Sequence, residues 1–433
     1  MRYEDAVEAL LARGPEQSGI GPSLERMRRL AELLDHPERT APAIHLTGTN
    51  GKTTTARMAS ALLAALGIGA GTYTSPHLQD VRERVAVAGR PISRDDFSTT
   101  WAYLEPFFAE VDGLGGSRVT FFEALTTLAF TWFAEVPVDV AVVEVGMGGT
   151  WDATNLIRGE VAVLTRVSLD HPELGGTPAE IAVEKAGIIK DGATVVTQAQ
   201  EPEVLDVIKA RADAAGARLL LEDAAFGVEK RQLAHGGQLL DLRTPVGLVR
   251  DVFVPLHGRH QAANAAAALA AVQAFLGDRS LSEDAIKAGF AAASSPGRLE
   301  VVARNPLVLL DGAHNPAGAA ALAEALLEEF VVDRRTIIVG VLADKDVRGI
   351  LTGLAPAAGR LIVTAPASPR AAGPDRLAKE AEAVGLVAEV APSVAAAIDL
   401  ARDGAGEGEA IVVTGSLYTV GEARTALLGP YPD

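Results

Sequence analysis

Short apolar runs alternate with glycine turns and longer helical segments along almost the whole chain of 433 residues. The apolar runs at residues 138–145 and 161–167 are typical of strands buried inside a parallel sheet. One more strand is predicted at residues 43–47, and helices are predicted at residues 1–13, 53–66, 120–134, 178–189 and 260–275. Because strands that alternate with helices build βαβ units, the sequence predicts an α/β fold with a doubly wound parallel sheet.

The alternation starts again after Pro296-Gly297. Further strands, each followed by a helix rich in Ala, Leu and Glu, are predicted at residues 307–310, 336–341, 361–364, 387–390 and 410–414. This second set is sufficient for a smaller Rossmann-like sheet. The predicted domains are therefore residues 1–295, with residues 222–256 as a β-ribbon insertion, and residues 296–433.

The charge balance limits the partners that the whole surface can bind. The chain has 39 Lys and Arg against 56 Asp and Glu, a formal net charge of −17, so neither nucleic acid nor a membrane is an expected partner. It has no cysteine, which excludes disulfides, thiolate metal sites and a cysteine nucleophile and agrees with a cytoplasmic location. The uncharged stretch between Arg57 and Asp80 contains three glycines and a proline, which predicts a helix followed by a loop and no membrane span.

The segment IHLTGTNGKTTT joins a predicted strand to a predicted helix through a glycine-rich turn. Gly48 and Gly51 allow backbone N–H groups to converge on an anion, and the start of the helix adds partial positive charge. Lys52 can reach the β- and γ-phosphates of a nucleotide, while the hydroxyl of Thr53 or Thr54 can face Mg²⁺. The glycines are closer together than in the common G-x-x-x-x-G-K-[ST] loop, and a glycine turn with an incidental lysine is the alternative. The segment nevertheless predicts a nucleoside triphosphate site.

Polar groups follow two of the predicted strands at their carboxyl ends. Glu144 ends one strand, and a carboxylate there is costly to bury unless a cation is near, so it is a candidate metal ligand. The alternative for Glu144 is an ion pair with Arg or Lys. Asp170 and His171 follow the next strand, at the edge where open α/β sheets bind ligands, although a lone histidine is more often structural. Lys185 by itself would be an ordinary surface lysine on a helix.

Nine segments in order, the last of which extends beyond residue 420, resemble the folylpolyglutamate synthase/dihydrofolate synthase group of the Mur ligase superfamily. They are HLTGTNGKTTT, TSPHLQDVRERVAVAGRPIS, TFFEAL, VVEVGMGGTWDATN, SLDHPELGGTPAEIAVEKAGIIK, HQAANAAAAL, PGRLEVV, DGAHNP and VVTGSLYTVGEAR. The resemblance implies a phosphate-loop domain that binds ATP and folate, followed by a smaller domain that binds glutamate. It also implies an ATP-dependent ligase that adds L-glutamate to dihydropteroate, to reduced folates or to both through an acyl phosphate.

The resemblance implies ATP and two Mg²⁺ ions as cofactors, with K⁺ as a further cation. The residues expected to contact ATP are Thr49, Asn50, Gly51, Lys52, Thr53, Asn264, Arg298 and Asp311. The expected metal ligands are Ser75, Glu144, His171, Lys185 and Thr53. Lys185 would act after carbamylation, because CO₂ converts its ammonium group into an anion that a metal ion can accept. Thr53 stands where many members of the family have glycine, so the magnesium hydroxyl is ambiguous between Thr53 and Thr54.

For the substrates, the resemblance implies one site in each domain. His314 and Ser416 would bind glutamate, and Ser416 could also cap a helix. The expected acceptor pocket consists of Gly21, Pro22, Ser23, Leu24, Thr120, Phe121, Phe122, Glu123, Trp151, Asp152 and Ala153. Phe121 and Phe122 are equally compatible with a plain core role, and Asn264 with a hydrogen bond between helices. Thr150-Trp151 replaces an Arg-Leu pair common in the family, which leaves the preferred acceptor open. The expected catalytic set is Lys52, Lys185, His171, Asp311, His314 and Ser416.

Two other functions remain open at this level. A cell-wall Mur ligase acting on a UDP-muramyl precursor would share these motifs, but no recognisable UDP-binding domain precedes the phosphate loop, which begins about 45 residues in. An NTP-hydrolysing switch would need the loop but not Lys185, His314 or Ser416. The favoured prediction is a monomeric ligase with small-molecule substrates. Its two domains must close to bring the glutamate amine to the acyl phosphate.

Overall fold

The computed structural model describes residues 1–14, 23–277, 279–406 and 408–432. The largest sheet in these ranges consists of β1 (Ala43–Thr47), β2 (Ala70–Tyr73), β3 (Val85–Val87), β4 (Arg90–Pro91), β5 (Val140–Glu144), β6 (Gly159–Leu164), β7 (Thr194–Thr197) and β8 (Arg218–Leu221). Their order across the sheet is β4-β3-β2-β5-β1-β6-β7-β8. β1 is therefore central, with β5 and β6 as its parallel neighbours.

All residues of β1 and β5 are buried, as expected for strands covered on both faces. β2, β7 and β8 extend the parallel part of the sheet, whereas β3 and β4 add an antiparallel edge. The carboxyl ends of β1, β5 and β6 meet at one edge, which is where open α/β sheets bind ligands.

Two smaller sheets complete the β-structure of the described ranges. β9 (Gly227–Ala234), β10 (Gly237–Thr244) and β11 (Gly247–Val254) form an antiparallel ribbon. The third sheet contains β12 (Glu300–Arg304), β13 (Leu307–Leu310), β14 (Arg334–Val339), β15 (Arg360–Val363), β16 (Ala388–Val390) and β17 (Glu409–Thr414). Its order is β12-β13-β17-β14-β15-β16, with β12 antiparallel to β13 and the remaining pairs parallel. We call the part with the first two sheets the N-terminal domain and the part with the third sheet the C-terminal domain.

Helices cover both faces of the two larger sheets. They are α1 (Tyr3–Leu11), α2 (Glu25–Leu33), α3 (Lys52–Ala65), α4 (Arg94–Gly113), α5 (Phe121–Glu135), α6 (Pro178–Lys185), α7 (Pro202–Ala214), α8 (Arg259–Phe275), α9 (Glu283–Ala291), α10 (Pro316–Glu329), α11 (Val347–Leu354), α12 (Pro374–Ala383), α13 (Val394–Asp403) and α14 (Leu417–Leu428). α3 and α8 share a buried core on one face of the first sheet, and α4 and α5 pack on the other. Within the described ranges, no helix is both long and apolar enough to cross a membrane.

The predicted fold class is confirmed, and the β-ribbon lies inside the predicted insertion. Three local predictions were wrong. The loop predicted before Asp80 contains β2, which is short and includes Gly71; pairing with β5 and packing of Gly71 against Phe133 stabilise it as a strand. The strand predicted at residues 161–167 ends at Leu164, and the helix predicted at residues 178–189 ends at Lys185. β12 was not predicted, because its apolar residues are few and its pairing with β13 is what defines it.

Candidate active site

The phosphate loop follows β1 and ends at Gly51, the N-cap of α3. Gly51 has a φ of 88°, in the left-handed region that side chains rarely adopt, and a Cβ there would lie 2.5 Å from Oδ1 of Asn264. Lys52 folds back over the loop, and its Nζ donates hydrogen bonds to the carbonyl oxygens of Gly48 (3.2 Å) and Thr49 (3.3 Å). The loop and the first turn of α3 thus combine a cation with free backbone N–H groups, which suits a phosphate chain.

Glu144 lies at the end of β5, beside this loop, and is 1% exposed. Its carboxylate accepts hydrogen bonds from Thr53 Oγ1 at 2.9 Å and from the backbone N of Ser75 at 3.0 Å. Burial raises the pKa of Glu144, and the positive charge of Lys52 acts in the opposite direction. Because its direct partners are neutral, the carboxylate is not in a direct ion pair, and a metal ion could supply the missing positive charge.

Lys185, at the end of α6, is also buried beside the loop. Its Nζ donates a hydrogen bond to the carbonyl oxygen of Gly48 at 2.8 Å. Burial lowers the pKa of Lys185 to about 7, and the nearby charge of Lys52 contributes in the same direction. Lys185 is therefore not the ordinary surface lysine that its position on a helix would indicate. A large share of this side chain is a neutral, nucleophilic amine at neutral pH.

Asp170 and His171 follow β6, and His171 has a left-handed φ of 58°. The Nδ1 atom of His171 lies 3.1 Å from Oε1 of Glu173. Asp170 Oδ1 accepts a hydrogen bond from Nζ of Lys345 in the C-terminal domain at 2.7 Å. Burial acts to raise the pKa of Asp170, but the positive charges of His171 and Lys345 outweigh it and hold the pKa well below its usual range. Asp170 is therefore an anion that joins the two domains.

His314 lies in the loop that follows β13. Its Nδ1 is 2.8 Å from the carbonyl oxygen of Gly312, and because a carbonyl can only accept, Nδ1 carries the hydrogen. Burial lowers the pKa of His314 to about 4. At neutral pH the ring is therefore uncharged, and Nε2 has a free lone pair.

Ser416 is the N-cap of α14 and is buried. Its Oγ accepts a hydrogen bond from the backbone N of Thr419 at 3.1 Å and lies 2.8 Å from Thr419 Oγ1. Since Thr419 Oγ1 donates its single hydrogen to the carbonyl of Gly340, Ser416 is the donor in the hydroxyl pair. The capping role considered for Ser416 is thus observed. To donate to a bound carboxylate, the Ser416 hydroxyl would have to rotate its hydrogen away from Thr419 Oγ1.

Asp311 and Arg298 complete the C-terminal wall of the site. Asp311 accepts hydrogen bonds from the backbone N of Leu299 and of Ala313, both at 2.9 Å. Burial raises the pKa of Asp311, against the positive charge of Arg298. The carboxylate therefore orders two loop segments and has limited capacity left for a ligand.

A cavity of about 830 Å³ opens between the two domains. Of the residues predicted to bind ATP, metal or glutamate, it is lined by Thr49, Asn50, Gly51, Lys52, Thr53, Ser75, Glu144, His171, Lys185, Asn264, Arg298, Asp311, His314 and Ser416. The domains meet across it through Asn50 and Asn315, whose side-chain amides exchange hydrogen bonds of 3.3 and 3.0 Å. The structure thus brings all these predicted residues to one cavity.

In the ranges that the structure covers, no three His, Asp or Glu side chains are grouped closely enough to hold a metal ion. The expected magnesium residues instead combine one carboxylate, Glu144, with the hydroxyls of Ser75 and Thr53 and the imidazole of His171 along the same cavity. Mg²⁺ commonly binds through one or two carboxylates, water and substrate phosphates. This donor set fits an ion that enters together with a nucleotide.

The expected acceptor residues do not line this cavity where they are described, and Gly21 and Pro22 lie outside the described residues. Glu123 is held by a bidentate ion pair with Arg26, with hydrogen bonds of 2.9 to 3.1 Å. Phe122 lies next to the cavity, since a Cβ on the cavity residue Gly146 would meet its ring.

The remaining acceptor candidates differ in exposure. Ser23 Oγ accepts a hydrogen bond at 3.1 Å from the backbone N of Glu25, the first residue of α2. Leu24, Phe121 and Ala153 are buried in the core. Trp151 is 47% exposed. Asp152 is buried and accepts hydrogen bonds from Met147 N and from Thr154 N and Oγ1, which anchors the glycine-rich turn after β5. The buried position of Phe121 agrees with the plain core role that the sequence analysis gave as the alternative to contact with the acceptor.

Several residues of the cavity were not predicted. Gln198 donates to Oδ1 of Asn264 at 3.0 Å, and Asn264 donates to Oε1 of Gln261 at 2.8 Å, so these buried amides fix the orientation of a predicted ATP contact. Asn315 and Lys345 join the domains. Asn315 lies inside the DGAHNP segment, so a sequence motif could have pointed to it. Gln198 and Lys345 lie in none of the nine segments, and no local sequence pattern marks them.

Comparisons with known proteins agree with this architecture. Residues 46–272 match the family described as Mur ligase middle domain, and residues 297–417 match the Mur ligase, glutamate ligase domain. The dihydrofolate synthase/folylpolyglutamate synthase of Mycobacterium tuberculosis is 46% identical over 461 residues, covering 99% of this chain and 94% of the relative.

Solved structures give the same result. Mycobacterium tuberculosis folylpolyglutamate synthase complexed with ADP has a TM-score of 0.94 and 44% identity, covering 100% of this chain and 99% of that one. A structure named as an FPGS-AMPPCP-folate complex has a TM-score of 0.88 and 33% identity, covering 99% and 100% of the two chains.

Proposed function

Because this chain belongs to the folylpolyglutamate synthase/dihydrofolate synthase family of Mur ligases, we propose that it adds L-glutamate both to dihydropteroate and to reduced folates. It is an ATP-dependent ligase that acts on small molecules. The observation that carries the proposal is the shared cavity, with the phosphate loop on one wall and His314 on the other. The relatives named with both activities support two acceptors, and the comparisons do not favour the cell-wall ligase alternative.

In the first proposed step, a carboxylate oxygen of the acceptor attacks the γ-phosphorus of ATP. A new O–P bond forms, the bond from that phosphorus to the β–γ bridging oxygen breaks, and ADP leaves. Lys52 and the backbone N–H groups of the phosphate loop stabilise the negative charge that two anions create when they meet. The loop is partly buried, which strengthens those interactions relative to bulk water.

In the second step, the α-amine of glutamate attacks the acyl carbon and a C–N bond forms. The bond from that carbon to the phosphate oxygen breaks, and phosphate leaves with this oxygen. The proton that the amine loses is taken up by the departing phosphate. The neutral ring of His314 offers the lone pair of Nε2, which can orient the amine by accepting an N–H. We propose Ser416 and the positive end of α14 as the group that binds a glutamate carboxylate, with Asp311 positioning the surrounding loops.

We propose that Glu144, Ser75, His171 and the hydroxyl of Thr53 hold Mg²⁺, which would offset the charge of the triphosphate when bound. The hydrogen bonds that Glu144 now accepts from Thr53 and Ser75 support this choice between Thr53 and Thr54. A carbamate on Lys185 for a second ion is supported by the burial and lowered pKa of its amine. The expected K⁺, monomeric state, cytoplasmic location and domain boundary at 295/296 stay predictions.

The proposal is tested by phosphate release from ATP with L-glutamate and, in separate reactions, dihydropteroate or tetrahydrofolate, with product masses read from the same samples. We expect a mass gain of one glutamate on both acceptors. His314→Gln should lose amide formation, whereas His235→Gln, a change at an exposed turn of the ribbon, should not. A gain on one acceptor would reduce the proposal to a single activity, and no gain on either from folded protein with Mg²⁺ and bicarbonate would contradict it.

A further inference from the structure

A second cavity lies at the opposite edge of the first sheet, near the amino ends of β1, β6 and β7. Its volume is about 730 Å³, and its charged lining residues are Arg39, Arg158, Glu160, Lys190, Asp191 and Arg211. The active site lies at the carboxyl ends of the same strands. Five residues of β1 separate the two edges, which is roughly 16 Å at about 3.3 Å per residue.

The lining of this basic cavity carries more positive than negative charge, in a chain whose formal net charge is −17. Glu160, one of its two carboxylates, accepts a hydrogen bond from the backbone N of Ala43 at 2.6 Å through Oε2, and its Oε1 lies 3.7 Å from Nε of Arg158. This pair offsets one of the four cations, so Lys190 and Arg211 are the main source of the excess. Asp191 is exposed. A local excess of positive charge on an acidic molecule concentrates anions at that place.

Lys190 and Arg211 are partly buried in the lining of the cavity, and both donate to neutral oxygens. Nζ of Lys190 donates to the carbonyl oxygen of Asn155 at 2.9 Å and to its Oδ1 at 2.7 Å. Nη2 of Arg211 donates to the carbonyl oxygen of Ile189 at 2.6 Å. Burial lowers the pKa of Lys190, and the positive charge of Arg211 lowers it further. The two cations are thus near enough for their charges to interact, and the partners that the described residues give them are neutral oxygens. A bound anion would offset this repulsion.

We propose that the basic cavity binds a small molecule with two or more negative charges on phosphate or carboxylate oxygens. The planar guanidinium of Arg211 can bind two such oxygens, and Lys190 can act on them as a point charge. Arg158, which is largely exposed, and Arg39, which also contacts Glu38 at 3.2 Å, would attract the anion at the rim. The same oxygen chemistry is found in inorganic phosphate and in a chain of γ-linked glutamates, and the test has an arm for each.

The experiment is isothermal titration calorimetry on the full chain, with Mg²⁺ and a non-hydrolysable ATP analogue present at saturation to fill the phosphate loop. Inorganic phosphate and γ-linked triglutamate are titrated separately. The test variant is Lys190→Gln with Arg211→Gln, since each glutamine removes the charge but keeps an N–H for the neutral oxygen. The control is Lys209→Gln, which removes one charge from an exposed position of the same helix, α7.

We expect the wild type and Lys209→Gln to bind at least one probe, with an affinity that falls as salt is added. The double variant should bind that probe at least tenfold more weakly, about 1.4 kcal/mol. The bound probe should also raise the unfolding temperature of the wild type but not of the double variant. Binding of phosphate alone or of triglutamate alone would each support the site and identify its source of anion.

Absence of binding by both probes, or equal affinities in the wild type and a double variant that unfolds at the wild-type temperature, would overturn the proposal. A double variant that does not fold would be replaced by the two single variants, to which the same criterion applies. None of these measurements depends on amide formation. Failure of the anion site and failure of the proposed function are therefore distinguishable.

Discussion

Burial changes the chemistry of two residues that line the cavity between the domains, Lys185 and His314. The pKa of Lys185 is lowered to about 7, so roughly half of these side chains are neutral at pH 7, whereas an exposed lysine is almost fully protonated. The pKa of His314 is lowered to about 4, so this ring is neutral where many histidines are partly charged. A neutral amine and a neutral imidazole are the forms that react with CO₂ and accept an amine N–H, respectively.

The first residue-scale prediction concerns carbamylation of Lys185. With a pKa of about 7, its neutral fraction should rise from about one tenth at pH 6 to about nine tenths at pH 8, because deprotonation follows the pH. The carbamate signal from ¹³C-bicarbonate in NMR spectra should rise over the same range in the wild type and be absent in Lys185→Met. A signal that persists in Lys185→Met, or none in the wild type at pH 8, would contradict the assignment.

The second residue-scale prediction compares two glycines with positive φ. Gly51 has a φ of 88° and no room for a Cβ, whereas Gly67 has a φ of 75° and open space around it. Gly67→Ala should lower the free energy of unfolding by about 1 kcal/mol through backbone strain alone. Gly51→Ala should lower it further and weaken nucleotide binding about tenfold or more, because the phosphate loop must move away from Asn264.

Urea unfolding and titration with an ATP analogue check both glycine variants. Equal losses of stability, with nucleotide affinity unchanged in Gly51→Ala, would show that the close contact with Asn264 has no role.

Among the helices, α5 uses Glu123, a residue expected to contact substrate, in the hydrogen bonds that cap its start. Thr120 accepts a hydrogen bond from Glu123 N at 3.2 Å, and Glu123 Oε2 accepts one from Thr120 N at 2.9 Å. The same carboxylate is paired with Arg26 of α2. Glu123 therefore joins two helices, and contact with an acceptor would compete with these partners.

The element-scale prediction is that Thr120→Ala lowers the free energy of unfolding by about 1 kcal/mol, because it removes the N-cap of α5. Ser282→Ala is the matched control, since Ser282 precedes α9 without a side-chain capping bond. It should change stability by no more than a few tenths of a kcal/mol. Urea unfolding of both variants measures the difference, and a larger loss in Ser282→Ala would refute the assignment of the cap.

At the scale of the whole molecule, polar contacts hold the two domains together at and away from the active site. At the cavity, Asn50 pairs with Asn315 and Asp170 with Lys345. On another side, Arg231 of the ribbon pairs with Glu328 and Glu329 at the end of α10. One of the cavity contacts involves Asn50 of the phosphate loop, so we expect movement of the domains to affect the position of a bound nucleotide.

For the whole molecule, we predict that Lys345→Met lowers kcat about tenfold. The affinity for an ATP analogue should stay within about twofold of the wild-type value, which is a small difference in binding free energy. Lys345 contacts Asp170, not the phosphate loop, so its loss should weaken closure more than nucleotide binding. Arg348→Met on α11 is the control, because Arg348 is 63% exposed and, among the described residues, pairs with Glu380 of its own domain. Steady-state kinetics and nucleotide titration decide the matter; parallel losses of kcat and affinity would argue against a closing role.

The predictable parts of the fold and site are those with local signals. Apolar runs indicated the buried strands β1, β5 and β17, and a glycine-rich turn indicated the phosphate loop. β2 and β12 were missed because short strands depend on the partner strand for their definition. Lys345 was missed because its partner, Asp170, is 175 residues away in sequence.

Local patterns were enough to predict the fold class, most of the strands and helices, and the identity of the polar groups at the strand ends, since periodicity and glycine positions are local properties. The folded structure was needed to show that about half of the Lys185 side chains and nearly all His314 rings are neutral at pH 7. It also showed that Glu123 and Asp152 accept hydrogen bonds within the protein and that a basic cavity lies at the opposite edge of the sheet. The physical reason is that burial and electrostatic interaction act through space. They depend on residues from distant parts of the chain, which a local pattern does not contain.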